Sequence, residues 1–297
     1  MSILKFLKFE KQRQNFDEKL LLYVIGAQKA GTTWLWDYFK NHRQVYVSYF
    51  KEMQYFNCKH NSEIFKNTIA SHKKNLDLYL NKTKLRISKS SRNRYDAQVF
   101  RELSFLDESY YIKFFKKYVS DEICFADITP GYSGAGKEAY KKMNSLHPNT
   151  KFLFIMRDPL DRFCSCIKHT HKISRLNDNF VEECINSKSF EVRSNYKSTI
   201  ENLEEIIDKE KILYLFYEDL FCDESIKTIC DFLGIKFKHA NYKISVNRRK
   251  YEFKFSDHAL KKIFDSQRPV YNYIFEKFQE RTPKKWYKTY EKWKMYK

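Results

Sequence analysis

The first third of the chain alternates between short apolar runs and amphipathic segments. The run Leu20–Ile25 is continuous and is followed by a glycine, which is typical of a strand buried on both faces of a parallel sheet. Thr32–Asn41 has helical spacing, and Val45–Phe50 is a second apolar segment that we interpret as a strand. The apolar face of the helix consists of Trp34, Leu35, Tyr38 and Phe39.

The same strand-then-helix order recurs three times further along. The predicted strands are Ile123–Ala126, Lys151–Met156 and Lys211–Tyr217. The helices that follow them are Lys137–Leu146 (after a turn over Thr129–Gly136), Leu160–His171, and Cys222–Leu233, which stops at Gly234. Strands that alternate with helices of this length form parallel sheets covered by helices. The pattern therefore predicts an α/β fold with three layers, in which helices flank a central parallel sheet.

Two regions do not follow this pattern. Residues 58–118 are polar and lysine-rich, and we interpret them as a helical excursion with an exposed loop. Past residue 240 the pattern becomes irregular and basic, and it ends in an aromatic, lysine-rich tail over 279–297. With only 6 Gly and 5 Pro, the chain has little material for flexible linkers. We therefore predict a single domain over 1–297 with its core at about 20–278.

Charge and cysteine content narrow the possible environments and partners. The 56 Lys and Arg residues exceed the 37 Asp and Glu residues, which gives a net charge of +19. This excess predicts attraction to polyanions, although lysine-rich faces in contact with solvent would explain it equally well. Seven cysteines at irregular spacing favour reduced thiols in a cytoplasmic protein. The charged N-terminus cannot supply the apolar region of a signal peptide, and no apolar run is long enough to span a membrane.

Candidate chemistry begins at the loop after the first strand. Gly26 and Gly31 frame it as in a nucleotide-binding loop, but Thr32 stands where the phosphate-binding lysine of such loops is found. The loop's lysine is Lys29, three positions earlier. A glycine-framed loop before a helix offers backbone N–H groups to an anion. The shifted lysine suits the terminal group of a shorter anion such as a phosphosulfate, which needs no magnesium ion to bridge two phosphates. A tight turn with a solvated lysine is the alternative.

A second anion-binding pattern follows the predicted strand Lys151–Met156. Arg157, Asp158 and Pro159 come at the strand end, and Ser165 lies eight residues after the arginine, on the predicted helix. A guanidinium binds phosphate oxygens in a forked geometry, and a hydroxyl near a helix start adds a donor. Helix capping by the Asp-Pro pair would explain the same residues without a ligand.

Together these segments resemble the sulfotransferases that use 3′-phosphoadenylyl sulfate (PAPS) and release adenosine 3′,5′-bisphosphate. G-A-Q-K-A-G-T-T-W resembles their 5′-phosphosulfate loop, and the R-D-P segment resembles their 3′-phosphate motif. The resemblance implies a P-loop-like fold and sulfuryl transfer without a metal. It covers about residues 20–278. The cofactor-binding residues that it implies are Gln28, Lys29, Ala30, Gly31, Thr32, Thr33, Trp34, Arg157, Ser165, Arg248 and Arg249.

Further matches point to the carbohydrate branch of this family. KEMQYF, residues 51–56, resembles its K-E-x-x-F-F signature, in which the glutamate (here Glu52) is the general base. ADITPGYS, SNYKSTIENL (194–203) and LYLFYEDLFCD (213–223) resemble later landmarks. The implied acceptor is the hydroxyl or amine of a carbohydrate or glycoconjugate. Gln54 and Ile128 depart from the histidine and lysine common in the glycosaminoglycan branch, which puts that acceptor in question.

The implied roles follow from sulfuryl-transfer chemistry. Lys29 would neutralise the charge that develops on the leaving phosphate oxygen. Glu52 would take the acceptor proton, with Asp127 as the alternative base and ion pairing to Lys51 as a non-catalytic explanation. Trp34 would lie against the adenine or pack in the core. Arg248 and Arg249 would reach the 3′-phosphate or form a solvated charge run.

Four other interpretations have to be weighed: a zinc site, the role of the tail, a kinase and a nucleic-acid-binding protein. The Cys and His residues of CSCIKHTH, 164–171, do not share one face of a helix, which argues against a zinc site. The aromatic tail could contact a membrane surface or form a packed amphipathic helix. A small-molecule kinase would need the missing G-K-[ST] and an aspartate for magnesium. A non-catalytic nucleic-acid-binding protein would leave the paired anion motifs unexplained, so we expect no nucleic-acid partner.

Overall fold

The computed structural model describes residues 16–49, 51–56, 89–170, 177–243 and 254–296. Five parallel strands form one sheet in the order β2-β3-β1-β4-β5. Helices flank this sheet, so the predicted α/β fold class is confirmed. The strands are β1 Leu20–Gly26, β2 Val45–Val47, β3 Cys124–Ile128, β4 Thr150–Met156 and β5 Ile212–Phe216.

The central strands are apolar because helices cover both of their faces. All seven residues of β1 are buried, and six of the seven residues of β4 are buried. The helices, in chain order, are α1 Thr32–Lys40, α2 Lys89–Leu106, α3 Ser109–Tyr118, α4 Lys137–Ser145, α5 Pro159–Thr170, α6 Asp178–Ile185, α7 Lys188–Ser194, α8 Tyr196–Ile206, α9 Asp223–Leu233, α10 Asp257–Phe278 and α11 Lys284–Met295.

The predicted strand Val45–Phe50 is shorter in the structure, where only Val45–Val47 forms a strand. The other predicted strand and helix positions in the regular part of the chain agree with the structure to within two residues where they are described. Helix α9 ends as predicted, because Gly234 adopts the left-handed conformation (φ 66°) at its C-terminus. The described part of the predicted excursion contains helices α2 and α3. Residues 58–88 of the predicted excursion lie outside the described residues.

The prediction of an irregular segment past residue 240 was wrong from residue 257 onward. α10 is a helix of 22 residues that continues through Pro269. It is followed by α11, whose Trp286 is fully buried against Phe216 and Tyr271. The tail therefore forms a packed amphipathic helix, which is one of the two structures that the sequence suggests for it. Among the described residues, no helix combines the length and apolar character that crossing a membrane requires.

Candidate functional site

The strand order determines where a ligand would bind. After β1 the chain crosses β3 to reach β2, whereas after β4 it proceeds to β5 on the opposite side. Helix α1, which follows β1, packs on β2. The loops that leave β1 and β4 therefore diverge, and parallel sheets bind ligands in the crevice at such a switch point. These two loops carry the two predicted anion motifs.

The loop after β1 has the backbone of an anion-binding turn. Lys29 (φ 70°) and Gly31 (φ 81°) are both left-handed, and Gly31 caps the N-terminus of α1. A Cβ on Gly31 would lie 2.8 Å from the Cδ2 atom of Leu220 and 3.2 Å from the ring of Tyr217, so the position requires glycine. Thr32 is buried behind the loop. Successive N–H groups in this geometry form a concave anion site at a positive helix end.

The predicted 3′-phosphate residue Arg157 contacts this loop directly. Its Nη1 donates a hydrogen bond to the backbone oxygen of Lys29 at 2.9 Å, and its guanidinium lies 4.5 Å from the centroid of the Tyr217 ring. The Tyr196 hydroxyl donates to the Arg157 carbonyl oxygen at 2.9 Å. Ser165 is half-buried on α5, two turns beyond the arginine. The structure thus brings the two motifs together through Lys29 and Arg157.

Two carboxyl groups lie close to the segment that carries Arg157: Asp158 is buried and Glu218 is half-buried. The Asp158 carboxyl caps α5 by accepting from the Asp161 N–H at 3.1 Å, and it also accepts from the Tyr271 hydroxyl at 2.7 Å. Glu218 accepts the Asp158 N–H at 3.0 Å. Burial, and then the nearby charges of Asp161 and Glu218, raise the pKa of Asp158 to about 6. The capping interpretation of Asp158 is therefore confirmed, and it coexists with the arginine contact.

The segment containing Glu52 docks on the end of β3. Its Tyr55 N–H donates to the Tyr132 hydroxyl at 3.1 Å, and the carbonyl of Met53 accepts from Arg101 at 3.1 Å. Glu52 itself has φ 75°, a conformation that is strained for a residue with a Cβ. Its carboxylate lies 3.5 Å from the Lys51 Nζ atom and 3.2 Å from the Gln54 amide. It is partly exposed, with 28% of the side chain accessible to solvent.

Asp127, the alternative base, is fully buried. Its carboxylate accepts hydrogen bonds from the hydroxyls of Tyr111 and Tyr132, both at 2.8 Å, and of Thr129 at 2.6 Å. Burial raises its pKa, while these hydrogen bonds oppose the shift. An acceptor hydroxyl has no access to this carboxylate. The structure therefore argues against Asp127 as the base and shows it instead as the centre of a hydrogen-bond network.

Trp34 packs within an aromatic cluster. Its ring lies against Phe221 and Tyr242, with centroid distances of 5.0 and 5.9 Å, and its indole N–H donates to the Asn241 oxygen at 3.2 Å. Only 6% of its surface is exposed, which agrees with the core interpretation. Contact with an adenine stays a prediction. Arg248 and Arg249 lie outside the described residues.

The two cysteines of the CSCIKHTH segment lie on α5 and differ in burial. Cys166 is buried and Cys164 is half-buried, while His171 falls outside the described residues. In the part of the chain that the structure describes, no group of three or more His, Cys, Asp or Glu side chains is placed to hold a metal ion. That sulfuryl transfer here needs no metal stays a prediction.

Sequence reasoning did not assign roles to several residues around the site. Tyr196, Tyr217 and Glu218 all support the Arg157–Asp158 segment. The sequence gives part of this information, because these residues lie in SNYKSTIENL and LYLFYEDLFCD, which both resemble landmark segments of the family. Their contacts with the arginine depend on three-dimensional packing, because 39 and 60 residues separate Tyr196 and Tyr217 from Arg157.

Comparisons with known proteins give a family match and several similar structures. A family model described as "Sulfotransferase family" matches residues 22–239. A sulfotransferase from Alicyclobacillus acidocaldarius has a similar structure, with a TM-score of 0.63, 17% identity, and coverage of 90% of this chain and 98% of that one. The sulfotransferase domain of the Synechococcus PCC 7002 olefin synthase gives a TM-score of 0.43 at 16% identity, covering 94% and 88% of the two chains. The sulfotransferase domain from the curacin biosynthetic pathway gives 0.43 at 14% identity, covering 74% and 75%. A comparison with curated protein sequences gave no match.

Proposed function

The chain belongs to the sulfotransferase family, and on that premise we propose that it moves a sulfuryl group from PAPS to a hydroxyl or amine of a carbohydrate or glycoconjugate. The observation that carries the proposal is the 2.9 Å hydrogen bond between Arg157 and the backbone of Lys29. It places an arginine suited to one phosphate beside a loop suited to another. A nucleotide with phosphates at both its 3′ and 5′ positions needs this combination.

The residues present fit such a nucleotide. The Nε atom of Arg157 is buried and has no hydrogen-bond partner among the residues that the structure describes. A buried guanidinium N–H without an acceptor costs free energy, and a phosphate oxygen would supply the acceptor. The Tyr217 ring holds the plane of the guanidinium from one side. Arg157 would therefore bind the 3′-phosphate, and the loop N–H groups with Thr33 would bind the 5′-phosphate.

Two residues of the chain would act on the reaction itself. PAPS, when bound, supplies an activated sulfuryl group attached to a phosphate oxygen. The Lys29 side chain would stabilise negative charge as it develops on that oxygen. Glu52 would accept the proton of the attacking hydroxyl, and its partial exposure leaves room for an acceptor to approach. The carbohydrate acceptor rests on the likeness of residues 51–56 to the K-E-x-x-F-F signature.

The first experiment measures nucleotide binding by calorimetry. Adenosine 3′,5′-bisphosphate should bind in the presence of EDTA, because arginine and backbone N–H groups require no bridging metal. ATP with magnesium should bind more weakly. Loss of bisphosphate binding in EDTA, together with tight binding of ATP and magnesium, would favour a kinase instead.

The second experiment separates the roles of Lys29 and Glu52, using sulfate transfer from labelled PAPS to a panel of oligosaccharides. Lys29→Ala should weaken nucleotide binding and lower turnover. Glu52→Gln should leave nucleotide binding near normal and reduce turnover by about 10²- to 10⁴-fold, the range for losing a general base. Glu138→Gln, at an exposed position on α4, is the matched control. Near-full turnover of Glu52→Gln would remove Glu52 from the mechanism.

A further inference from the structure

A cavity lies away from the proposed transfer site, between α5, the junction of α7 and α8, and the middle of α10. Its volume is about 360 Å³, which is within the range of small-molecule sites. Phe163, Pro269 and Val270 form apolar parts of its wall, and Ser194 and Gln267 are its buried polar groups. Neither the loop after β1 nor Arg157 or Glu52 contributes to the lining.

Gln267 provides a specific recognition feature. Its side chain is only 5% exposed, and its Nε2 donates to the Ser266 hydroxyl at 3.1 Å. Its Oε1 atom is buried and has no hydrogen-bond partner among the described residues. Buried amide oxygens are almost always hydrogen-bonded, so an unpartnered one in a residue that lines a cavity calls for a donor. A ligand with a hydroxyl or N–H group would provide that donor.

The charges around the cavity restrict the ligand further. The guanidinium of Arg162 is fully buried and donates to the Ser194 hydroxyl in the cavity wall. This positive charge disfavours a cationic ligand. The Gln267 oxygen carries partial negative charge, so it disfavours an anionic ligand that has no hydrogen-bond donor. At the mouth, Glu191 and Lys197 are exposed and are each paired within their own helix, with Lys188 and Glu201. A neutral donor fits this environment best.

We propose that this cavity binds a neutral phenol or alcohol about the size of a single aromatic ring, at a site separate from sulfuryl transfer. The ring would contact Phe163, Pro269 and Val270, and the hydroxyl would donate to the Gln267 oxygen. The proposal does not depend on the transferase activity, because it rests on the cavity and its own polar groups.

The test uses the full chain without nucleotide and four probes that differ in one group: 4-methylphenol, 4-methylanisole, 4-methylbenzylamine and 4-methylbenzoate. Binding is followed by ligand-observed NMR titration. 4-Methylphenol should bind tightest, about three- to tenfold more tightly than 4-methylanisole, which has no donor. Tighter binding of the amine or the carboxylate would overturn the assignment of a neutral donor.

Variants locate the probe. Gln267→Leu keeps the shape and removes the acceptor, so 4-methylphenol and 4-methylanisole should then bind equally. Val270→Trp fills the cavity and should abolish the binding of both, with circular dichroism confirming that the variant folds. Arg268→Leu, on the exposed side of α10, is the control and should change neither. A phenol preference that survives Gln267→Leu, or binding that Glu52→Gln abolishes, would refute the site.

Discussion

Replacing Asp158 with asparagine should change how the stability of the protein depends on pH. The Asp158 carboxyl is buried at the start of α5, beside Glu218 and Asp161, and its pKa is raised from 3.8 to about 6. Because the folded state holds this proton more tightly than the unfolded state does, the contribution to the free energy of unfolding falls as pH rises from about 4 to about 6. A difference of about 2 in pKa corresponds to about 3 kcal/mol.

Asparagine removes this ionisation while keeping the useful contacts. Its carbonyl oxygen can still accept from the Tyr271 hydroxyl and the Asp161 N–H. Its amide nitrogen would replace the Oδ2 atom of Asp158, which is buried without a partner among the described residues. Asp158→Asn should therefore match the wild type near pH 4 and be more stable by up to about 3 kcal/mol at pH 7.

Urea unfolding at half-unit steps from pH 4 to pH 8, at constant ionic strength, measures this difference. Asp121→Asn, at an exposed position, is the matched control and should give a difference that hardly varies with pH. If the difference in unfolding free energy between Asp158→Asn and the wild type were equally independent of pH, the Asp158 carboxyl would not bind its proton more tightly in the folded state than in the unfolded state. The argument from burial and neighbouring carboxylates would then be refuted.

Three further predictions test the cofactor site and the tail. Arg157→Ala and Ser165→Ala should each weaken adenosine 3′,5′-bisphosphate about ten- to a hundredfold but barely affect adenosine 5′-phosphosulfate; equal losses for both would contradict a 3′-phosphate role. Gly31→Ala should reduce the affinity for both nucleotides, because the new Cβ would lie 2.8 Å from the Leu220 side chain and because the backbone at residue 31 has φ 81°, which is strained for alanine. Normal binding in calorimetry would refute this. Trp286→Ala should destabilise the fold by about 3–5 kcal/mol in urea unfolding, against little change for the more exposed Tyr287→Ala.

Most of the sheet was predictable because it depends on local patterns, and the same patterns predict the loops that carry the two proposed anion motifs. The apolar run of β1 and the glycines at 26 and 31 lie close together in the sequence, and the switch-point rule then brings the loops after β1 and β4 together. Helix α10 was missed because Pro269 interrupts an otherwise helical spacing of apolar residues. Trp286 and Trp293 lie seven residues apart on one face of α11 and are both buried. The lysines between them make the segment look exposed in the sequence, so their burial was not predicted.

The part of the site that sequence reasoning could not supply is the support of Glu52. Met53 accepts a hydrogen bond from Arg101 of α2, and Asp127 accepts one from Tyr111 of α3. Both donors lie within the predicted excursion, whose sequence does not match the cofactor-binding motifs. The loops after β1 and β4 would bind the nucleotide, whereas the excursion holds the segment on which the proposed base lies. We infer that changes in α2 and α3 would alter the acceptor side of the reaction while leaving the nucleotide side intact.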